Sequence, residues 1–278
     1  GTGLQYFSSH IKERFFDVGI AEQHAVTFCA GLAAMGKLPV FAVYSSFLQR
    51  GVDQLIHDVS IGKNHVVLGI DRAGIVGEDG ETHQGIFDVP LLTDIPGAVI
   101  YSPSCYEELK LCLNEALYEC DGLACVRYPR GNDCSSFDKS SLNTKYTLAE
   151  NDDAKILLVS YGRIYDDLFK AYILLNKEGI KCDILKLTKI FPIADEIIEK
   201  SEKYKHIIFF EEGSIHGGIA EIFGNKLELS GFSGKYVLRG IEGFVKQATV
   251  KSILSRYGLD CDSMYNYVKQ LLGYNNET

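Results

Sequence analysis

An α/β fold made of two doubly wound, mainly parallel sheets is predicted by three features of this sequence. Short apolar runs bounded by turn residues alternate with longer stretches at helical spacing. The alternation occurs twice along the chain. A polar stretch without apolar period, Asn132 to Asp153, separates the two series and predicts a boundary near Asp152, with domains over 1–152 and 153–278.

In chain order, a short helix is expected near Phe7 to Glu13. Arg14 to Val18 reads as a buried strand that runs into a helix of about fourteen residues starting near Glu22, with Gly36 and Pro39 as stops. Leu38 to Val43 reads as the next strand. Ser46 and Gln49 fit a capping box ahead of Leu48, Val52, Leu55, Ile56 and Val59 at helical spacing. Val66 to Ile70 is a further strand, followed by a long loop with Gly74, Gly77, Gly80 and Gly85. Loops of this kind at strand ends are often functional. Ala98 to Tyr101 and Ala124 to Val126 complete the first series. Between them, Ser104 and Glu107 form a second capping box before Leu109, Leu113, Ala116 and Leu117.

In the second series, strands are predicted at Lys155 to Ser160, Cys182 to Leu187, His206 to Phe210 and Lys235 to Leu238. Helices are predicted at Tyr165 to Glu178, Ala194 to Tyr204, Gly218 to Leu229, Val245 to Tyr257 and Asp262 to Leu272, with a frayed tail after Gly273.

Composition narrows the functional classes. Apolar residues make up 46% of the chain, enough for full cores, and the net charge of −9 argues against a broad nucleic-acid surface. No stretch has the length of a membrane span, and no signal peptide is visible. The eight cysteines form no Cys-x-x-Cys, and several fall on apolar faces. They read as reduced core residues of a cytoplasmic protein, not as a disulfide or zinc framework. A start at Gly1, with methionine only at 35 and 264, reads as a fragment, a processed product or one half of something larger.

Glu22 falls at the first turn of a helix, just past a strand. A carboxylate there either compensates the helix dipole or faces a ligand at the carboxyl edge of the sheet. Arg72 and Arg130 both follow strands of one sheet, so their guanidinium groups can converge on one edge. Two converging arginines in an acidic chain suit a phosphate-bearing substrate. The stretch Gly77-Glu-Asp-Gly80 lacks the later glutamate of a calcium hand, and no metal ligands are assigned.

The stretch Asp17-Val-Gly-Ile-Ala-Glu-Gln-His24 resembles the pyrimidine-binding domain of thiamine-diphosphate enzymes of the transketolase group. Tyr44-Ser-Ser-Phe-Leu-Gln-Arg50 and Arg127-Tyr-Pro-Arg-Gly131 resemble most the 1-deoxy-D-xylulose-5-phosphate synthase family within it. Glu211-Glu212-Gly213 and His216-Gly217-Gly218 resemble the transketolase carboxy-terminal domain. With no basic residue near them in sequence, packing or a subunit contact is expected there.

The resemblance implies roles. Glu22 would hydrogen-bond the aminopyrimidine of thiamine diphosphate, promoting the tautomer that activates the cofactor, and an apolar cavity would help it keep a proton. Phe47 would stack on the pyrimidine, Ile20 reads either as cofactor packing or as plain core, and Arg50 belongs to the pocket or to a helix surface. Tyr44 and Asp79 would face the substrate, and Arg72 and Arg130 would bind the phosphate of glyceraldehyde 3-phosphate. His83 would orient or move protons near the reacting carbons. Arg127 is taken as structural.

The family holds the cofactor's diphosphate through Mg2+ on a Gly-Asp-Gly…Asn segment of an amino-terminal domain, and no such segment precedes Glu22. The resemblance therefore implies half of an active site, completed by that domain. It also implies a homodimer acting on pyruvate and glyceraldehyde 3-phosphate, without nucleic-acid or membrane partners. A split transketolase, the β-type subunit of a 2-oxoacid dehydrogenase, and a non-catalytic dimerisation or binding module remain as alternatives.

Overall fold

The computed structural model describes residues 2–133 and 135–274. The first sheet has the order β1 (Val40–Tyr44), β2 (Val66–Asp71), β4 (Leu123–Tyr128), β3 (Val99–Tyr101) and β8 (Lys189–Phe191). All its pairings are parallel except β3 with β8. The second sheet has the order β10 (Lys235–Ile241), β9 (His206–Ser214), β6 (Ile156–Tyr161), β7 (Cys182–Leu187) and β5 (Tyr146–Ala149), parallel except β5 with β7. Each half is thus four parallel strands with one antiparallel edge. The central strands are covered on both faces, which explains why Val66–Asp71, Ile156–Tyr161 and Cys182–Leu187 are buried at every position.

The helices of the first half are α1 (Gln5–His10), α2 (Glu22–Ala34), α3 (Ser45–Leu48), α4 (Val52–Gln54), α5 (Asp88–Thr93) and α6 (Tyr106–Tyr118). Those of the second are α7 (Tyr165–Lys177), α8 (Asp195–Ser201), α9 (Ile219–Leu229), α10 (Val250–Arg256) and α11 (Cys261–Leu271). Apolar side chains from both halves, including Val26, Leu68, Ile100, Leu157, Val159 and Phe209, belong to one continuous core cluster. Buried polar contacts add to it: Lys186 of β7 pairs with Glu108 of α6, both almost fully inaccessible.

Several local expectations fail for physical reasons. Arg14 to Val18 forms no strand. It follows a 3-10 turn at Lys12–Arg14, Phe16 is 58% exposed, and no neighbouring strand pairs with it. The predicted helix near Phe7 ends at His10. Ser46 caps nothing, because the helix already begins at Ser45, which puts Ser46 inside the first turn. Ahead of α6 the cap position is Cys105, without a side-chain bond, and it is Glu108 that accepts from the Ser104 N–H at 2.8 Å. Side-chain caps do occur at Thr249 and Asp260, ahead of α10 and α11. The run from Ser45 to Ile61 changes from α to 3-10, back to α, and then to a π-helical segment at Leu55–Ile61.

The seven described cysteines are unpaired thiols, five of them buried, and burial pushes Cys29 up to about 11 and Cys182 up to about 12. Cys134 and the tail residues 275–278 lie outside the described residues.

Candidate active site

Three adjacent parallel strands set the site. Tyr44 of β1 registers with Asp71 of β2, and Asp71 with Tyr128 of β4, so the carboxyl ends of the strands are level. In open α/β sheets this edge is the usual ligand position. Arg72 and Arg130 follow it directly. Arg72 adopts a left-handed backbone at φ 61°, uncommon for a residue with a side chain. Its guanidinium lies 3.8 Å over the Tyr44 ring and its Nη1 donates to Asp71 at 2.6 Å. Arg130 Nη1 donates to both oxygens of Asp79, at 2.7 and 2.8 Å, and this hydrogen bonding raises the Arg130 pKa. The two arginines therefore converge, and between them lies the Asp79 carboxylate, 3.9 Å from Arg72 Nε.

Glu22 opens α2 and is 8% exposed. Arg50 Nη1 donates to its Oε2 at 3.4 Å, so the carboxyl's surroundings are mixed rather than purely apolar. This contact depends on Gly51. A Cβ there would lie 3.0 Å from Val26 Cγ2 and 3.5 Å from the Glu22 carbonyl, so glycine lets the helical run at Ser45–Ile61 pass close over α2.

Above Glu22 opens a cleft of about 410 Å³ lined in part by Val18, Ile20, Glu22, Phe41, Phe47 and Arg50. Ile20 is 89% exposed within it, so it is not a core residue. The Phe47 ring stacks on Tyr44 at 5.6 Å, meets His83 edge-on at 5.2 Å, and has the Arg50 guanidinium 5.8 Å from its centroid. Tyr44, Phe47, His83, Arg72 and Asp79 thus form one connected wall from the cleft to the arginine pair. Burial, aided by the Asp71 charge, pushes the Tyr128 phenol up to about 12, so it stays neutral behind that wall.

The cleft suits the aminopyrimidine portion of thiamine diphosphate. A carboxyl group sits at its base, apolar side chains form a wall, and Ile20 and Phe47 present surface that gains by being covered. Among the described residues lining it, Glu22 is the one carboxylate, which does not make a divalent-ion site. Elsewhere, Cys105, Glu107 and Asp133 bring ligand atoms within 4.8 Å of one another. Lys139 already donates to Glu107 and Asp133 at 2.8 and 3.0 Å, which makes this an ion-pair cluster.

Two residues hold the glycine loop from the second half: Glu212, for which packing or a subunit contact is expected, and Arg163, which sequence reasoning missed. Glu212 of β9 accepts from the Ile75 N–H at 2.7 Å, while Arg163 Nη2 donates to the Ile75 carbonyl at 2.8 Å and Nη1 to the Arg130 carbonyl at 3.4 Å. Arg163 and Glu212 also pair with each other. A Cβ on Gly74 would lie 2.6 Å from Glu212, so only glycine admits this approach. The basic partner absent from the sequence around Glu212 arrives from 49 positions away. Beside it, Glu211 is fully buried and accepts from the Ala220 N–H at 2.7 Å, holding the start of α9. Arg127 is structural: it forks onto Asp88 at 2.8 and 3.1 Å, both almost fully buried.

Comparison with known proteins matches two successive stretches of the chain, the second beginning before the expected boundary near Asp152, in keeping with Tyr146–Ala149 pairing in the second sheet. The family "Transketolase, pyrimidine binding domain" matches residues 1–134, and "Transketolase, C-terminal domain" matches residues 145–264. A 1-deoxy-D-xylulose-5-phosphate synthase of Clostridium botulinum (strain Eklund 17B / Type B) is 42% identical over 276 residues, covering 98% of this chain and 44% of the relative. The synthase of Chlorobium luteolum is 39% identical, covering 97% and 44%. The chain thus spans less than half the length of the curated relatives it matches. Among solved structures, a split-gene transketolase described as an inactive β4 tetramer superposes with a TM-score of 0.85 at 23% identity, covering 96% of this chain and 87% of that one. Transketolase from Campylobacter jejuni gives 0.76 at 20% identity, covering 92% and 39%. At these identities the structures speak for the fold.

Proposed function

From a chain that joins a transketolase pyrimidine-binding domain to a transketolase C-terminal domain and resembles the carboxy-terminal portion of 1-deoxy-D-xylulose-5-phosphate synthases, we propose that it supplies the pyrimidine-side half of such a synthase's active site. The reaction joins pyruvate and glyceraldehyde 3-phosphate, with loss of CO2, to give 1-deoxy-D-xylulose 5-phosphate, a precursor for isoprenoid, thiamine and pyridoxal biosynthesis. The observation that carries the reading is the unbroken wall from Glu22 through Phe47, Tyr44 and His83 to the Arg72–Asp79–Arg130 cluster.

Thiamine diphosphate, when bound, supplies the nucleophilic carbon and the electron sink for decarboxylation. Glu22 hydrogen-bonds the aminopyrimidine ring and holds the proton on which its tautomer depends. Ile20 and Phe47 cover the ring faces and exclude water, and Arg50 keeps the Glu22 carboxyl group in place. Arg72 and Arg130 hold the acceptor's phosphate, an anion that a pair of guanidinium groups binds with directional hydrogen bonds. Tyr44 fixes Arg72, and His83, against the Phe47 edge, moves or orients a proton at the substrate oxygen. Magnesium and the cofactor's diphosphate belong to the complementary amino-terminal portion, and a homodimer in the cytoplasm is the expected form of the whole.

Titration calorimetry with thiamine diphosphate and Mg2+ tests this, on the chain alone and then with a separately made amino-terminal domain. Weak or no binding alone, with tight binding and pyruvate consumption by the pair, is expected. Tight Mg2+-dependent binding by the chain alone overturns the half-site reading. A split transketolase is a second reading, since both matching family models describe transketolase domains. Ketose-phosphate donors used in place of pyruvate by the same pair decide for it.

A further inference from the structure

The position between Arg72 and Arg130 is already taken by an anion of the chain's own. Asp79 satisfies Arg130 through both oxygens. It serves Arg72 poorly: the 3.9 Å gap to Nε is too long for a hydrogen bond, and that buried N–H has no partner among the described residues. Arg72 cannot turn to remedy this, because Asp71 holds its Nη1 at 2.6 Å and the Tyr44 ring lies against its flat face. A carboxylate brings two acceptor oxygens, whereas a phosphate group brings three and more charge. The cluster is therefore filled by a ligand one oxygen short.

The surrounding loop is pinned elsewhere. The Val76 N–H bonds Gln84 at 2.8 Å, the Glu78 carbonyl accepts from Gln247 at 2.8 Å, and Ile75 is held at both ends of its backbone by Glu212 and Arg163. Among the described residues, the Asp79 side chain bonds to nothing but the arginine cluster, and it is 29% exposed. It can swing out while the loop stays in place. Of the neighbouring acids, Asp71 is bound to Arg72, and Glu78 is exposed, its charge acting on Arg130 without a hydrogen bond to either arginine among the described residues.

We propose that Asp79 is an internal place-holder for the substrate's phosphate group, which must displace the carboxylate from Arg130 and Arg72 to bind. This deepens the preceding reading and rests on the two arginines as the phosphate site. Displacement makes entry selective. A dianionic phosphate can outcompete the carboxylate and satisfy the unpaired Arg72 N–H, whereas an uncharged acceptor leaves the ion pairs closed. It also sets a threshold on affinity, because each phosphate contact is made at the expense of an existing one.

The test is titration of inorganic phosphate into the chain at low ionic strength, followed by 31P NMR or calorimetry, for the wild type, Asp79→Asn and Arg130→Ala, with circular dichroism melts to confirm folding. Asp79→Asn keeps the shape and removes the competing charge, so phosphate should bind about fivefold more tightly, with loss on Arg130→Ala. If Arg130→Ala weakens phosphate binding while Asp79→Asn binds no more tightly than the wild type, the site stands and the place-holder is overturned. If neither substitution alters phosphate binding, or none is measurable in any variant, the phosphate site itself is overturned and the inference with it.

Discussion

The two sheets have the same plan, yet their carboxyl ends differ in how polar groups are spent. At the end of the first sheet, among the described residues, the Glu22 side chain has one hydrogen bond, at 3.4 Å, Arg72 keeps a buried N–H unpaired, and Ile20 stands 89% exposed in an open cleft. At the end of the second, polar groups turn inward. Glu212 and Arg163 bind backbone of the neighbouring loop, and Glu211 holds the start of α9 with one carboxyl oxygen while the other, buried, has no partner among the described residues. One edge is left accessible; the other is buried, and part of it is spent on holding its neighbour. The same topological position carries the candidate site in one half and acts as a scaffold in the other.

This contrast can be broken by substitution. Glu22→Gln, in the chain completed by its amino-terminal portion, should lower turnover by about 10²–10⁴-fold and leave the unfolding free energy unchanged. A large loss of stability would mean that Glu22 is scaffold. Asp88→Asn should do the reverse. It strips the fully buried counter-charge from Arg127 and should cost roughly 3–5 kcal/mol in chemical denaturation. Tolerance of that change would show that the buried Asp88–Arg127 pair carries little.

A subtler test lies in Glu211. Burial raises its pKa to about 8, against backbone hydrogen bonds from α9 and the Arg127 charge, which lower it. The folded protein therefore holds a proton that the unfolded chain releases above the ordinary carboxyl range. The stabilisation is complete below that range and is lost as pH rises toward 8, with stability falling by a few kcal/mol at most over that window. Melting of Glu211→Gln should lack this slope. An equal slope in both proteins would assign the pH dependence elsewhere.

Much of the scaffold was legible because it depends on local pattern. Val66–Asp71, Ile156–Tyr161 and Cys182–Leu187 are uninterrupted buried runs, and each emerged as a strand within a residue or so of its predicted bounds. Lys189–Phe191 and Tyr146–Ala149 were missed because they are short and owe their structure to a distant partner, and Asp88–Thr93 because it is a six-residue helix without a side-chain cap. Arg14–Val18 failed the other way, having an apolar pattern with nothing to pair against. In the site, Tyr44, Arg72 and Arg130 lie at or just past strand ends that local pattern predicts, whereas Ile20 and Glu22 line the cleft beside Tyr44 without the strand expected before them. What could not be read was how the charges pair. That Asp79 occupies the arginine pair, and that Arg163 reaches Ile75 and Arg130, depends on chain segments 51 and 88 positions apart being folded together.

The short strand Lys189–Phe191 has one more implication. It leaves the second half of the sequence to close the open edge of the first sheet beside Ile100 and Tyr101. Scission anywhere in the polar stretch between the halves would leave them stitched by main-chain hydrogen bonds, and the first half made alone would carry a bare, aggregation-prone flank. The two units are spliced, not strung, so during synthesis the first sheet is finished only after the second has begun to emerge.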